Sequence, residues 1–198
     1  IRWRDHAMWV AMVVIRTARS DDAGPIADVH ITTWRAAYAG MIPNSVLLGL
    51  SSASECKYWR RAIAARPGEC AVYVAATADG EILGYGSAGR ARPNGLPYTG
   101  EIYTLYVAPD HQGKGLGRGL LHAMFDQLRG QGCSAAMLWV LAANPARFFY
   151  SAMGGTLAAQ RNERHFGVAL DELVYGWADL KYLAGVQETA QQGRANRD

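Results

Sequence analysis

The chain has 198 residues, half of them hydrophobic and 19% charged, with a formal net charge of +3. That length supports one well-buried core and is short for two. There is no Lys/Arg block of the kind that grips a nucleic-acid backbone, so no nucleic-acid partner is expected. The mild positive excess suits a small polyanion better.

Arg2 and Arg4 precede an apolar run over residues 7–15 that imitates a short signal peptide. The run is too short to span a membrane and no small-residue cleavage site follows it cleanly, so residues 1–12 read as an upstream extension and no membrane partner is expected. A first strand is predicted over residues 13–17. Ser20-Asp21-Asp22 offers helix-capping chemistry and Pro25 fits a first turn, so a helix should run to about residue 39, with Ile26, Val29, Thr33 and Ala37 along one face and Gly40 as its stop. A short helix should follow Pro43-Asn44-Ser45, and a third is expected over residues 54–66. Residues 71–77 and 81–88 flank Asp79-Gly80 as a β-hairpin. Residues 90–98, rich in Pro and Gly, make a loop into a strand that starts at Glu101. A helix over about 115–129, a strand over 136–141, a helix over about 145–153 and closing strands near 156–164 and 173–177 complete the order. Strands and helices are mixed rather than strictly alternating. The expected fold is therefore α/β (α+β): a single domain over 13–182 with a mixed, mostly antiparallel central sheet and helices on both faces, followed by a polar tail over 183–198.

Cys56, Cys70 and Cys133 are odd in number and lack CxxC or Cys/His spacing, so no metal is expected and the thiols read as reduced, as in a cytoplasmic protein. Six tryptophans and the apolar N-terminal run supply material for a homodimer interface or, equally, for a core.

The most informative segment runs from Glu101 to Gly119, where a β-rich run passes through glycines into a helix. Glycine permits positive φ and close approach, and the helix start presents unpaired N–H groups and a positive dipole end, which together make an anion cradle. A Walker A loop is excluded because Lys114 is followed by Gly115 rather than Ser or Thr, and the dinucleotide fingerprint fails on glycine spacing. What does fit is Gln-x-x-Gly-x-Gly at Gln112, Gly115 and Gly117. This resembles the acetyl-CoA pyrophosphate loop of the GNAT superfamily of N-acetyltransferases. Leu138-Trp139-Val140-Leu141, then Asn144-Pro145-Ala146-Arg147-Phe148-Phe149-Tyr150 and Met153-Gly154-Gly155, resemble the second half of the same site.

The resemblance implies an acetyl-CoA-dependent N-acetyltransferase that acetylates a primary amine, of a small molecule or of a peptide, by direct attack in a ternary complex. A domain that binds acetyl-CoA without turnover, as a sensor or scaffold, is the rival reading. It further implies that Gln112, Gly113, Lys114, Gly115, Gly117 and Arg118 hold the pyrophosphate, that Leu105, Tyr106 and Val107 present backbone groups to the pantetheine arm and thioester, and that Asn144 contacts that arm. Asn144 is also placed to cap the helix that Pro145 begins. An alkylammonium is neutral in only about one molecule in a thousand at pH 7, so attack benefits from a base. Glu101 matches the base glutamate of the histone-acetylating branch, with His165 and His30 as substitutes. Tyr150 matches the tyrosine that protonates the leaving thiolate. Trp34, Tyr38 and Tyr103 are expected at the acceptor, with Tyr98, Arg161 and Arg164 as further candidates, a set that suits either an aromatic or an acidic acceptor.

Overall fold

The computed structural model describes residues 13–66 and 68–180; the extension expected over 1–12 and the tail expected over 183–198 lie outside them. Strand β1 (Val14–Thr17) leads through a 3-10 turn into α1 (Ala23–Ala37), where Arg16 binds Asp22 through two hydrogen bonds at 2.6 and 2.9 Å. Two short-loop helices follow, α2 (Asn44–Leu48) and α3 (Ser52–Ile63). Strands β2 (Ala71–Ala76), β3 (Ile82–Arg90) and β4 (Gly100–Val107) come next, then α4 (Leu116–Gly130), β5 (Ala136–Leu141), α5 (Ala146–Ala152), β6 (Thr156–His165) and β7 (Val168–Trp177).

The seven strands form one sheet in the order β1-β2-β3-β4-β5-β7-β6, and every neighbouring pair is antiparallel except β4–β5. Helix α4 is the crossover that this parallel pair requires. On one face Ile26, Ala27 and Val29 of α1 and Trp59 of α3 pack on Val72, Val74, Ile82 and Tyr85. On the other, Leu121, Met124, Phe125 and Leu128 of α4, with Tyr150 of α5, pack on Ala88, Ile102, Ala136, Leu138 and Trp177. Each large apolar side chain so buried contributes on the order of 2 kcal/mol. Gly86 lies under α4, where a Cβ would come within 2.9 Å of Met124 Sδ, so the helix seats directly on the sheet backbone.

Two irregularities open the site. Strands β4 and β5 pair only at Gly100↔Ala136 and Glu101↔Met137 and then diverge, leaving a wedge between them. Opposite this, β4 carries a bulge: Ser87 faces Thr104 and Ala88 faces Ile102, so Tyr103 is the extra residue. The bulge changes the alternation of the strand, placing Ile102 and Leu105 together against the α4 core while Tyr106 turns to the α1 side.

The element order matches the sequence expectation. The chief difference is the closing hairpin, in which β7 begins at Val168 rather than near 173 and pairs with β6 through the two-residue turn Phe166-Gly167. Most of β6 is exposed, so its sequence carries no apolar alternation to mark the partner strand.

Candidate active site

The wedge between β4 and β5 is a cavity of about 850 Å³ whose walls come from β4, the loop after it, α4, β5, α5 and the end of α1. At one end lies the glycine loop. Gly113 and Gly115 have φ of +73° and +85°, and a Cβ at either would meet nothing within 4 Å, so glycine is there for backbone conformation and the space in front of it is open. Gly115 is the N-cap of α4, whose first intrahelical bond runs from Gly119 N–H to Gly115 O at 3.0 Å. The N–H groups of the helix start before it have no carbonyl of their own helix to bond. Gln112 turns its side-chain amide back to donate to Val107 O at 3.0 Å, which ties the loop to the end of β4. Gln112, Gly113, Gly115, Gly117 and Arg118 all line the cavity, as do Leu105, Tyr106 and Val107. Lys114 does not: its ammonium donates to Asp110 O at 2.9 Å on the exposed side of the loop.

In the middle of the cavity three tyrosines and an asparagine converge. Tyr150, on α5, is buried, and burial with a smaller contribution from Tyr38 raises its phenol well above the ordinary value. Tyr38 and Tyr106 share a hydrogen bond between hydroxyls at 2.9 Å. Burial raises both phenols; at Tyr38, hydrogen bonds from Tyr106 and Asn144 oppose this, and the charge of Glu172 adds to it. Asn144 is buried, and its Oδ1 accepts the N–H of Ala146 at 2.9 Å, which holds the start of α5 and so the height of Tyr150. Thr33 lines the same wall with its hydroxyl buried and without a hydrogen-bond partner among the described residues; sequence reasoning marked it only as part of a helix face.

Glu101, expected as the base, sits differently. Its side chain is 1% exposed and is not among the cavity residues. Both carboxylate oxygens accept from the Arg92 guanidinium, and one also accepts the Arg92 N–H at 3.0 Å. That pairing holds the Arg92 guanidinium above its ordinary pKa. Glu101 thus anchors the loop that precedes β4. His30 is also off the cavity: its Nδ1 meets the Tyr85 hydroxyl at 2.6 Å in the α1–α3 core, and burial depresses the imidazole to about 4.

A second cavity, of about 200 Å³, adjoins the first along Tyr38, Trp139 and Val140, which line both. Trp34, His165, Phe166 and Glu172 are among its remaining walls. Trp34 therefore lies on this smaller cavity and Tyr103 on the larger one. Tyr98 and the arginines expected as liners are on neither. Tyr98 packs on the backbone of Gly176, Arg161 pairs with Glu172 at 2.7 Å and Glu163 at 2.9 Å while lying 3.7 Å over the Trp139 ring, and Arg164 donates to Gly167 O at 2.7 Å. Phe166 and Glu172 were missed from the sequence because only the hairpin turn brings them opposite α1. Glu163, His165 and Glu172 each offer a ligand atom, all within 4.8 Å of one another, but the Arg161 guanidinium already bridges the two carboxylates with a fixed cation.

A strand, a positive-φ glycine loop, a helix start and a buried tyrosine thus line one cavity in a split sheet. Residues 35–154 match the acetyltransferase (GNAT) family. The chain is 34% identical to the uncharacterized N-acetyltransferase YuaI of Bacillus subtilis over 173 residues, 87% of this chain and 96% of that protein. It is 36% identical over 116 residues to the L-methionine sulfoximine/L-methionine sulfone acetyltransferase of Pseudomonas aeruginosa, covering 57% of this chain and 62% of that one. Among solved structures it superposes on yncA of Salmonella typhimurium, determined with its cofactor acetyl-CoA, with a TM-score of 0.64 and 26% identity over 85% of this chain and 94% of that one. The chain belongs to the acetyltransferase (GNAT) family and is an N-acetyltransferase. Among the described residues no helix is long and apolar enough to cross a membrane.

Proposed function

We propose that the protein transfers an acetyl group from acetyl-CoA to the primary amine of a small molecule by direct attack. The observation that carries this is one cavity lined both by the positive-φ glycine loop at the start of α4 and by Tyr150. The residues present fit the co-substrate. The start of α4 and Arg118 would hold the pyrophosphate. The backbone of Leu105, Tyr106 and Val107 would take the pantetheine amides and polarise the thioester carbonyl. Asn144 fixes α5 beside them.

The acceptor arrives as an ammonium and must lose a proton before its nitrogen attacks. Of the three bases named from the sequence, His165 alone lines a cavity, with Nε2 3.4 Å from Glu172 Oε1. This pair receives the proton. The C–N bond forms, the nitrogen gives its second proton to solvent as the adduct collapses and the C–S bond breaks, and Tyr150 gives its proton to the departing thiolate, to be reprotonated from solvent; the base pair returns the first proton to solvent. The products are the amide, CoA and one released proton. The raised pKa of Tyr150 keeps the phenol protonated at neutral pH, as an acid must be.

Tyr150→Phe tests this. We expect kcat to fall about 100-fold, the low end of what general-acid catalysis supplies, with the acetyl-CoA Kd from calorimetry unchanged. An unaffected kcat would remove Tyr150 from the chemistry. Wild-type protein that binds acetyl-CoA and turns over no amine would instead support the sensor reading.

A further inference from the structure

The smaller cavity carries more information than its position. Its aromatic walls come from Trp34 on α1, Tyr38 just past its end, Trp139 on β5 and Phe166 in the β6–β7 turn. A space of about 200 Å³ admits one ring and a short chain, since an apolar cavity of about 150 Å³ already takes benzene. The charged group on the wall is Glu172, with His165 beside it. No Lys or Arg lines it among the described residues, and the nearby cations are committed, Arg161 to Glu172, Glu163 and the Trp139 face, and Arg164 to Gly167 O. Arg161 over Trp139 also shows that this corner of the fold accommodates a cation between an aromatic face and a carboxylate.

Two further observations mark the cavity as a binding place. The indole N–H of Trp34 is buried with no hydrogen-bond partner among the described residues, a state that native proteins otherwise avoid. And Phe166 is the one non-glycine residue with positive φ among the described residues, at +53°. A two-residue hairpin turn favours Asn or Gly at that position, and a bulky aromatic there is strained. Strain of this kind is retained where surrounding structure or function over-determines it.

Resting on the acetyltransferase reading, we infer that the acceptor is a primary amine carried on a flat apolar body and lacking a carboxylate, its ring between Trp34, Tyr38, Trp139 and Phe166 and its ammonium toward Glu172 Oε1, the oxygen that Arg161 does not take. An α-amino acid is disfavoured because its carboxylate would meet the Glu172 carboxylate, while the nearby guanidinium, Arg161, is already held by Glu172 and Glu163. This separates the chain from its relative that acetylates methionine sulfoximine and methionine sulfone.

The test is a matched panel on the full chain: 2-phenylethylamine against phenylalanine, tryptamine against tryptophan, and methionine sulfone, followed by CoA release. The expected result is a kcat/KM at least ~100-fold higher for each amine than for its carboxylated counterpart, the scale on which unpaired like charges are discriminated. Glu172→Gln should collapse that ratio. Phe166→Gly relieves the turn, so its Tm should equal or exceed that of wild type, while the KM for 2-phenylethylamine rises at least ~10-fold and the acetyl-CoA Kd stays put; this separates lost recognition from lost folding. Amino acids used as well as the amines, a ratio unchanged in Glu172→Gln, or CoA-bound protein that neither binds nor acetylates any arylalkylamine overturns the inference. Absence of acetyl-CoA binding by calorimetry is a different result, since it defeats the acetyltransferase reading itself.

Discussion

Glu101 and Tyr150 show how little a residue's type and position say before its partners are known. Both occupy places that the family resemblance marks for proton transfer. Tyr150 lies on the cavity wall, but Glu101 has its oxygens engaged by Arg92, a residue from the Pro/Gly-rich loop whose path the sequence does not specify. The two roles predict different mutant behaviour. Glu101→Gln should change kcat by only a few-fold and leave the acid side of the pH–rate profile unmoved, because the carboxylate is held by Arg92 and does not line the cavity. Its stability should fall by about 1–2 kcal/mol, less than the full cost of breaking a buried pair, because the Arg92 side chain is 68% exposed and can turn to water. Urea titration and a pH–rate profile together check this. A drop in kcat of ~100-fold or more with loss of the acid limb would restore Glu101 as the base.

At the scale of elements, the parts with a local cause were legible. Gly115-Leu116 as the start of α4, the Asp79-Gly80 hairpin, and Pro145 opening α5 each rest on a residue whose backbone preference acts where it stands. The features that make the site did not announce themselves. Nothing in Glu101-Ile102-Tyr103-Thr104 signals a bulge at Tyr103, because the extra residue exists only relative to β3, and the divergence of β4 from β5 is a property of two segments 36 residues apart at their paired ends. Likewise Phe166 and Glu172 join Trp34 only once β7 has folded back on β6. The legible element also yields the clearer prediction. Gly115→Ala puts a Cβ into open space but at a φ of +85°, so the free protein should lose about 1 kcal/mol without a clash. The same methyl projects where the phosphates would approach, and the acetyl-CoA Kd should rise at least ~10-fold, the size of one lost charge-assisted contact. Calorimetry beside thermal melting reads both; an unchanged Kd would mean that the pyrophosphate does not lie on this loop.

Over the whole molecule, the face of the sheet away from α4 carries an ionisable group that the chemistry does not use. His30 is buried against Trp59, Tyr85 and Tyr106, and desolvation depresses its imidazole from 6.5 to about 4. The folded state therefore prefers the neutral ring, which bonds Tyr85, while the unfolded chain binds a proton below about pH 6.5. Between these values the unfolded state holds more protons, so stability is complete above about pH 6.5 and falls as pH drops toward 4. The shift corresponds to at most about 3 kcal/mol. Glu55 reduces it: its carboxylate lies 3.7 Å from His30 Nε2 and would partly compensate a charged ring, and its own pKa is raised by burial, which has the opposite sign and favours the folded state as that carboxyl protonates. Asp22 loses its stabilising pair with Arg16 only at lower pH, since that pairing depresses its pKa. A net loss of about 2 kcal/mol between pH 7 and pH 4.5 is expected from urea unfolding. In His30→Gln, which keeps a hydrogen-bonding group opposite Tyr85 but cannot titrate, the loss over that window should shrink to below about 1 kcal/mol. Equal pH slopes in the two proteins would show that His30 is charged in the native fold with Glu55 as its counter-ion, and that the α1–α3 core tolerates an ion pair where the structure has aromatic packing.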